Sequence, residues 1–505
     1  MFLALAIVCN VSNSGSNRSG VRAHTPAPFL MKANASNFEH DMGPYGRIIA
    51  DTYNETEKTI LIYPSESVEE EHKDAHWNIS WVLEYVPNPV LEHYEQTKTE
   101  SFSYANNNND RRSSMFDELP DTSTIYHFHN QLTTVLDNLL AAYPSLVTVE
   151  SIGYSVQNRE LWMVELHDGS DSGEPAPAFI PLVRLVGNIH GDEAVGREMM
   201  LRFAVYLAKQ HGTGGDEAVT KLLRTTRVQI IPSMNPDGFE MGRRLNANEH
   251  DLNRGFPDQY VLPEVNSIYA HMRDPEVEAI LRLMLHTNCT LSISAHGGAL
   301  VANYPYDATA NNRVFRMAAP SPDDEFFRHV AHVYAQAHVR MAASTEFSGG
   351  VTNGGAWYQL YGGMQDASYI LDDSFEITVE LSKVKWPASS TLPSFWQENK
   401  PALLAYTQQA HVGVAGYVHY NYYNSSGSGS GSGGVTTETV EVCVDGIDKP
   451  IRTRVDGSYI RLLAPGNTYV LRVCGSPLAS GEIYVPNPTP GVQSELVYVN
   501  LTFDV

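Results

Sequence analysis

The chain is 505 residues long, 42% hydrophobic and 18% charged, with 58 acidic against 34 basic residues and a formal net charge of −24. That length and apolar content allow two or three domains and at least one large buried core. So acidic a surface repels nucleic acid and anionic membranes, and it suits cationic substrates better.

The start, MFLALAIVC, has an apolar core without a basic flank and reads as a short, atypical leader over residues 1–24. Residues 25–121 form an N-terminal extension in which β-like runs (RIIADTY, KTILIYP, WNISWVLEYV) alternate with polar tracts such as ESVEEEH and YANNNNDRRSS. Such asparagine and serine tracts bury too little apolar surface to order themselves, so the extension is expected to be partly disordered. Arg111 and Arg112 within it are either a processing site or a solvated basic pair.

From Thr122 strands alternate with amphipathic helical stretches up to residue 412, which implies an α/β domain with a mixed, largely parallel central sheet flanked by helices. Sites in such sheets gather at the carboxyl ends of the strands. In RLVGNIHGDEAVGRE, His190 ends a strand and Glu193 opens the next helix, so the two side chains can converge as short-spaced zinc ligands or merely cap a helix. The loop GRRLNANEHDLNRGFPD gathers Arg244, Asn253 and Arg254, a donor array for a carboxylate unless it is only a solvated basic loop. His296, which follows the apolar run LSISA and precedes two glycines, is the best candidate for a third zinc ligand. In SFEITVELS a carboxylate sits in an otherwise apolar strand, where burial would raise its pKa as a proton shuttle requires; Glu380 and Glu376 face the same side, and both remain open for that role.

After His411 period-two stretches take over, so residues 413–505 read as a small all-β sandwich, with SGSGSGSGG at 426–434 as a flexible connection. Four cysteines occur; Cys443 and Cys474 lie on two of these strands and could pair, leaving Cys289 alone. Eight sequons, at Asn10, Asn17, Asn34, Asn54, Asn78, Asn288, Asn424 and Asn500, suit a secretory route. No stretch is long and apolar enough to span a bilayer, and a secreted or lumenal monomer without a transmembrane anchor is expected.

His190 with Glu193, NPDGFE, DLNRGFPD, AHGGALVANYPYD, AWYQLYGGMQD and FEITVELS stand in the order and spacing of the zinc metallocarboxypeptidases. Within them the chain most resembles the regulatory subgroup of carboxypeptidases D, E, N and M, over residues 122–505, and DGSYIRLLAPG resembles their transthyretin-like β-sandwich. The resemblance implies one zinc ion held by His190, Glu193 and His296, with Asp251 orienting the first histidine. It implies Glu380 as general base, Arg244 as the group polarising the scissile carbonyl, Asn253 and Arg254 as the anchor of the terminal carboxylate, and Tyr358 as a closing tyrosine. Asp307 and Gln365 match the pocket of enzymes that remove lysine or arginine, so the implied activity is release of single C-terminal basic residues from peptides or proteins. An apolar-specific carboxypeptidase and a non-catalytic peptide-binding homologue are the alternatives. Asp192 in place of asparagine, Gly255 after Arg254, and SKVK without cysteines depart from the pattern, but none removes a catalytic group.

Overall fold

The computed structural model describes residues 29–34, 49–54, 59–63, 82–87 and 89–106 of the N-terminal region, then 116–170, 179–212, 214–260, 273–310, 316–423, 430–436, 438–489 and 491–504. The expected leader and the Arg111–Arg112 pair lie outside these residues.

Four N-terminal strands, β1 (Phe29–Asn34), β2 (Ile49–Asn54), β3 (Thr59–Tyr63) and β4 (Val82–Pro87), form an antiparallel sheet in the order β2-β3-β1-β4. The last three fall in the β-like runs; β1 was not anticipated. Nor was helix α1 (Pro89–Asn106), which takes in the start of the asparagine tract. Tertiary contact explains it, since Tyr94 is buried edge-on to the Trp386 ring at 5.4 Å and donates to the Glu240 carbonyl at 2.5 Å. The Ser101 hydroxyl donates to the carbonyl of Tyr126 at 3.0 Å.

The main domain begins with α2 (His129–Ala142), whose Leu132, Val135, Leu136 and Leu139 make one buried stripe at helical spacing. Then follow β5 (Val147–Tyr154), β6 (Glu160–Leu166), β7 (Leu182–Gly187), α3 (Ala194–Gln210), α4 (Glu217–Thr225), β8 (Arg227–Ile231), α5 (Pro236–Met241), α6 (Pro275–His286), β9 (Cys289–His296) and β10 (Leu300–Tyr304). The domain closes with α7 (Asp324–Ala337), β11 (Val351–Asn353), the short turn α8 (Gly354–Trp357), α9 (Met364–Leu371), β12 (Phe375–Leu381) and α10 (Leu392–Thr407). The sheet runs β11-β10-β12-β9-β7-β8-β6-β5. Its central strands β12, β9, β7 and β8 are mutually parallel, while β10, β6 and β5 join antiparallel. Every residue of β7, β9 and β12 is buried, because helices cover both faces. The mixed, largely parallel sheet expected from the sequence is what forms.

The C-terminal region is β-rich. Strand β13 (Gly413–Tyr423) pairs with β14 (Ser430–Val435), β17 (Ser458–Leu462) and the two final strands, while β15 (Glu441–Val444) pairs with β16 (Ile447–Arg452) and with Leu471–Val473. Cys443 and Cys474 form a disulfide, and Cys289 is free and buried. Part of the glycine-serine run is not a loop: Ser430–Val435 is drawn into β14 because the open edge of β13 supplies backbone partners.

Candidate metal centre

Strand β7 ends at Gly187, and Asn188 follows with φ 59°, a left-handed conformation that asparagine tolerates. Its side chain donates to the carbonyls of His190 (2.8 Å) and Gly191 (3.1 Å) and accepts from Ser233, so the chain doubles back tightly. Gly191 passes so close to α5 that a Cβ there would lie 2.1 Å from the carbonyl carbon of Gly238. The turn delivers His190 and the α3 N-cap residue Glu193 beside His296, the last residue of β9. Register confirms the level, for Gly187 pairs with Ala295 across β7 and β9.

Glu193 bridges the two histidines, with Oε1 3.0 Å from His190 Nδ1 and Oε2 2.9 Å from His296 Nδ1. The two Nδ1 atoms are 3.2 Å apart, and one ligand atom from each of the three buried residues lies within 4.8 Å of the others. A tetrahedral ion with donors about 2.0–2.2 Å away sets them about 3.3–3.6 Å apart, so the donor set fits zinc. Arg244 Nη1, which can only donate, sits 3.2 Å from His190 Nδ1. Nε2 faces Asp251 Oδ1 at 3.1 Å, so a proton held there between ring and carboxylate leaves Nδ1, which faces Glu193 and His296, as the nitrogen that would ligate.

The long loop after α5 supplies the cations. Arg244 donates through Nε and Nη2 to Asp251 Oδ2 (3.2 and 3.0 Å) and through Nη1 to Glu193 (3.2 Å). Burial opposes ionisation of Asp251, but Arg244, Arg254 and His190 hold it well below the usual carboxylate range. The Asn253 backbone N–H donates to Asp251 at 2.9 Å, its Oδ1 accepts from the Met364 N–H at 2.9 Å, and Arg254 Nη1 donates to the Asn253 carbonyl.

A buried carboxylate stands apart from this cluster. Asp307 Oδ1 accepts from Asn303 (3.1 Å) and Gln365 (3.0 Å), and its backbone N–H donates to both oxygens of Asp366 (3.1 and 3.0 Å). Burial pushes Asp307 up to about 6. Room for its Oδ1 depends on Gly354, where a Cβ would sit 2.0 Å away. Tyr358 caps α8 half-buried, its ring 5.0 Å from Trp357.

Glu380 pairs in register with His296 across β12 and β9, and burial first, then the charge of Glu193, pushes it up to about 7. Glu376 lies opposite Ser292 and through Oε2 accepts from Ser368 (2.7 Å) and Ser292 (2.9 Å), while its buried Oε1 has no hydrogen-bond partner among the described residues, and burial pushes it too up to about 7. His190, Glu193, His296 and Glu380 thus meet at the carboxyl ends of β7, β9 and β12, Arg244, Asn253 and Arg254 join them around Asp251, Tyr358 faces Arg254 and Glu380, and Asp307 with Gln365 forms a separate buried pair. Four others did not announce themselves: Asn188, Asn303, Asp366 and Lys385, the last with its ammonium 3.4 Å from Glu193 and 3.9 Å from buried Asp192. The departure SKVK marks Lys385, and Asp366 adjoins Gln365, but only folding shows what they touch.

A family model for zinc carboxypeptidases matches residues 132–402. The chain is 36% identical over 357 residues to carboxypeptidase D of Drosophila melanogaster, a match covering 68% of this chain and 24% of that protein. It is also 36% identical over 374 residues to the carboxypeptidase N catalytic chain of Homo sapiens, covering 68% and 78%. The chain therefore spans about a quarter of the length of the carboxypeptidase D relatives it matches. The crystal structure of thrombin activatable fibrinolysis inhibitor superposes with a TM-score of 0.55 at 19% identity, over 75% of this chain and 98% of that one, and shows the shared fold.

Proposed function

The chain belongs to the zinc carboxypeptidase family, and from that premise we propose that it releases single C-terminal lysine or arginine residues from peptides or proteins. The observation that carries the reading is the meeting of His190, Glu193 and His296 opposite Glu380 at the carboxyl ends of β7, β9 and β12. A zinc ion held by the three ligands supplies a Lewis acid and lowers the pKa of water at the site. Glu380, raised towards neutrality, takes the proton of the attacking water and returns it to the leaving amine. Arg244 offers a guanidinium to the oxygen that gains charge. Asn253 and Arg254 bind the free carboxylate of the terminal residue, which restricts cleavage to the last bond, and Tyr358 closes over that residue. Asp307, with Gln365 fixing one of its oxygens, receives the cationic side chain.

Secretion fits this role. The Cys443–Cys474 disulfide suits an oxidising compartment, and the sequon residues Asn288 and Asn500 are exposed. Among the described residues no helix is long and apolar enough to cross a membrane. Purified protein is expected to free arginine from a hippuryl-arginine substrate, to stop on chelation, and to leave the amidated analogue intact. Equal turnover of the amide overturns the carboxylate anchor, and preference for C-terminal phenylalanine overturns the basic pocket.

A further inference from the structure

Helix α9 touches both the substrate pocket and the C-terminal β module. Its N-terminal turn belongs to the substrate pocket: Gln365 donates to Asp307 at 3.0 Å and accepts from the Thr378 N–H at 2.8 Å, Asp366 holds the Asp307 backbone, and the Met364 N–H reaches Asn253. Its other end belongs to the C-terminal β module. Arg452 of β16 donates to the carbonyl of Leu371, the last helical residue, and through Nε and its backbone N–H to Asp373, both at 3.1 Å. Lys449 adds a second cation on Asp373. Midway along, the Tyr369 hydroxyl donates to Asp323 at 2.5 Å, and Asp323 is gripped by Arg461 of β17 at 2.8 and 3.0 Å, with both charged side chains buried.

These contacts follow from elementary electrostatics. The last carbonyls of a helix lack intrahelical partners and carry partial negative charge, so cations collect there. The helix has eight residues, about 12 Å or two turns, which is too short to bend between its ends. A shift of its C-terminal end therefore reaches Gln365 and Asp366.

We infer that Arg452 and Arg461 of the C-terminal β module are positioning residues for the side-chain pocket, acting through helix α9 on Gln365, Asp366 and hence Asp307. The inference rests on the carboxypeptidase reading above and deepens it, since the module becomes part of the specificity apparatus rather than an appendage.

The test uses the full zinc-loaded chain and compares R452A, R452K and R461Q with the unsubstituted protein on substrates ending in arginine and in phenylalanine. Arg452 is half exposed, so R452A folds even where R461Q, which takes the cation from buried Asp323 and leaves it only the Tyr369 hydroxyl, does not. R452A is expected to raise KM for the arginine substrate about 2- to 30-fold, the range for residues coupled to a site through packing, with kcat nearly unchanged. The arginine-to-phenylalanine ratio of kcat/KM falls with it, and R452K restores part of the loss. A purely structural role would instead lower the active fraction, reducing kcat equally for both substrates and leaving KM alone. Unchanged KM, or parallel changes for the two substrates, in folded R452A overturns the inference. If the unsubstituted protein prefers another C-terminal side chain, the basic-substrate reading fails, and the same variants are then scored by whether that preference weakens.

Discussion

Glu376 and Glu380 project to the same side of β12 about 13 Å apart along the strand, yet their surroundings give them different chemistry. E380Q is expected to lower kcat by about 10²- to 10⁴-fold with zinc content unchanged, whereas E376Q, which still accepts from two serine hydroxyls, should keep turnover near normal. Steady-state kinetics with metal analysis checks both. Asp307 gives a pH prediction. Its ionised form attracts a cationic side chain and is lost by protonation, so selectivity for arginine over phenylalanine should hold above about 6 and fade as pH falls through that value. Taking the ratio of kcat/KM for the two substrates at each pH cancels changes common to both. D251N, which weakens the acceptor that fixes the His190 ring, should cost about 10- to 100-fold in zinc affinity by competition with a chelator. At this scale the sequence disclosed residue types that can ligate metal or bind a carboxylate. It could not separate Glu376 from Glu380 by alternation alone, because the difference is set by what β9 places opposite each. Asn188 and Lys385 were illegible for the same reason: their partners come from folding back, not from spacing.

At the scale of elements, alternating strands and helices disclosed the sheet, since fully buried parallel strands leave continuous apolar runs. Elements whose order comes from contact were not disclosed. Helix α1 has a polar sequence, and the Ser430–Val435 strand consists mostly of glycine and serine; packing on Trp386 and an open strand edge decide them. Close approach of α3 to β9 gives a prediction at this scale. A Cβ at Gly196 would lie 2.7 Å from the Ala295 carbonyl oxygen, so G196A must push the helix carrying Glu193 away from the strand carrying His296. Loss of about 1–3 kcal/mol in thermal unfolding and weaker zinc binding are expected together. Unaltered zinc affinity would show that the helix and strand separate without disturbing the ligands.

Across the whole molecule, the Cys443–Cys474 bridge joins residues 31 apart in the C-terminal module. Removing it by C443S and C474S should cost about 3–4 kcal/mol by loop entropy, read from denaturant unfolding of the full chain. The module's strands pack into the same apolar core as the main domain, with Leu462 and Val442 fully buried beside it, so unfolding is expected as a single transition. The N-terminal helix has a different consequence. Tyr94 fills a slot against Trp386 and Phe128, and Ser389 donates to Glu100 at 2.9 Å, so α1 is fastened by contacts that do not depend on the peptide chain beyond it. A nick after Arg112 would thus leave two fragments travelling as one particle through a sizing column, to be parted by a denaturant.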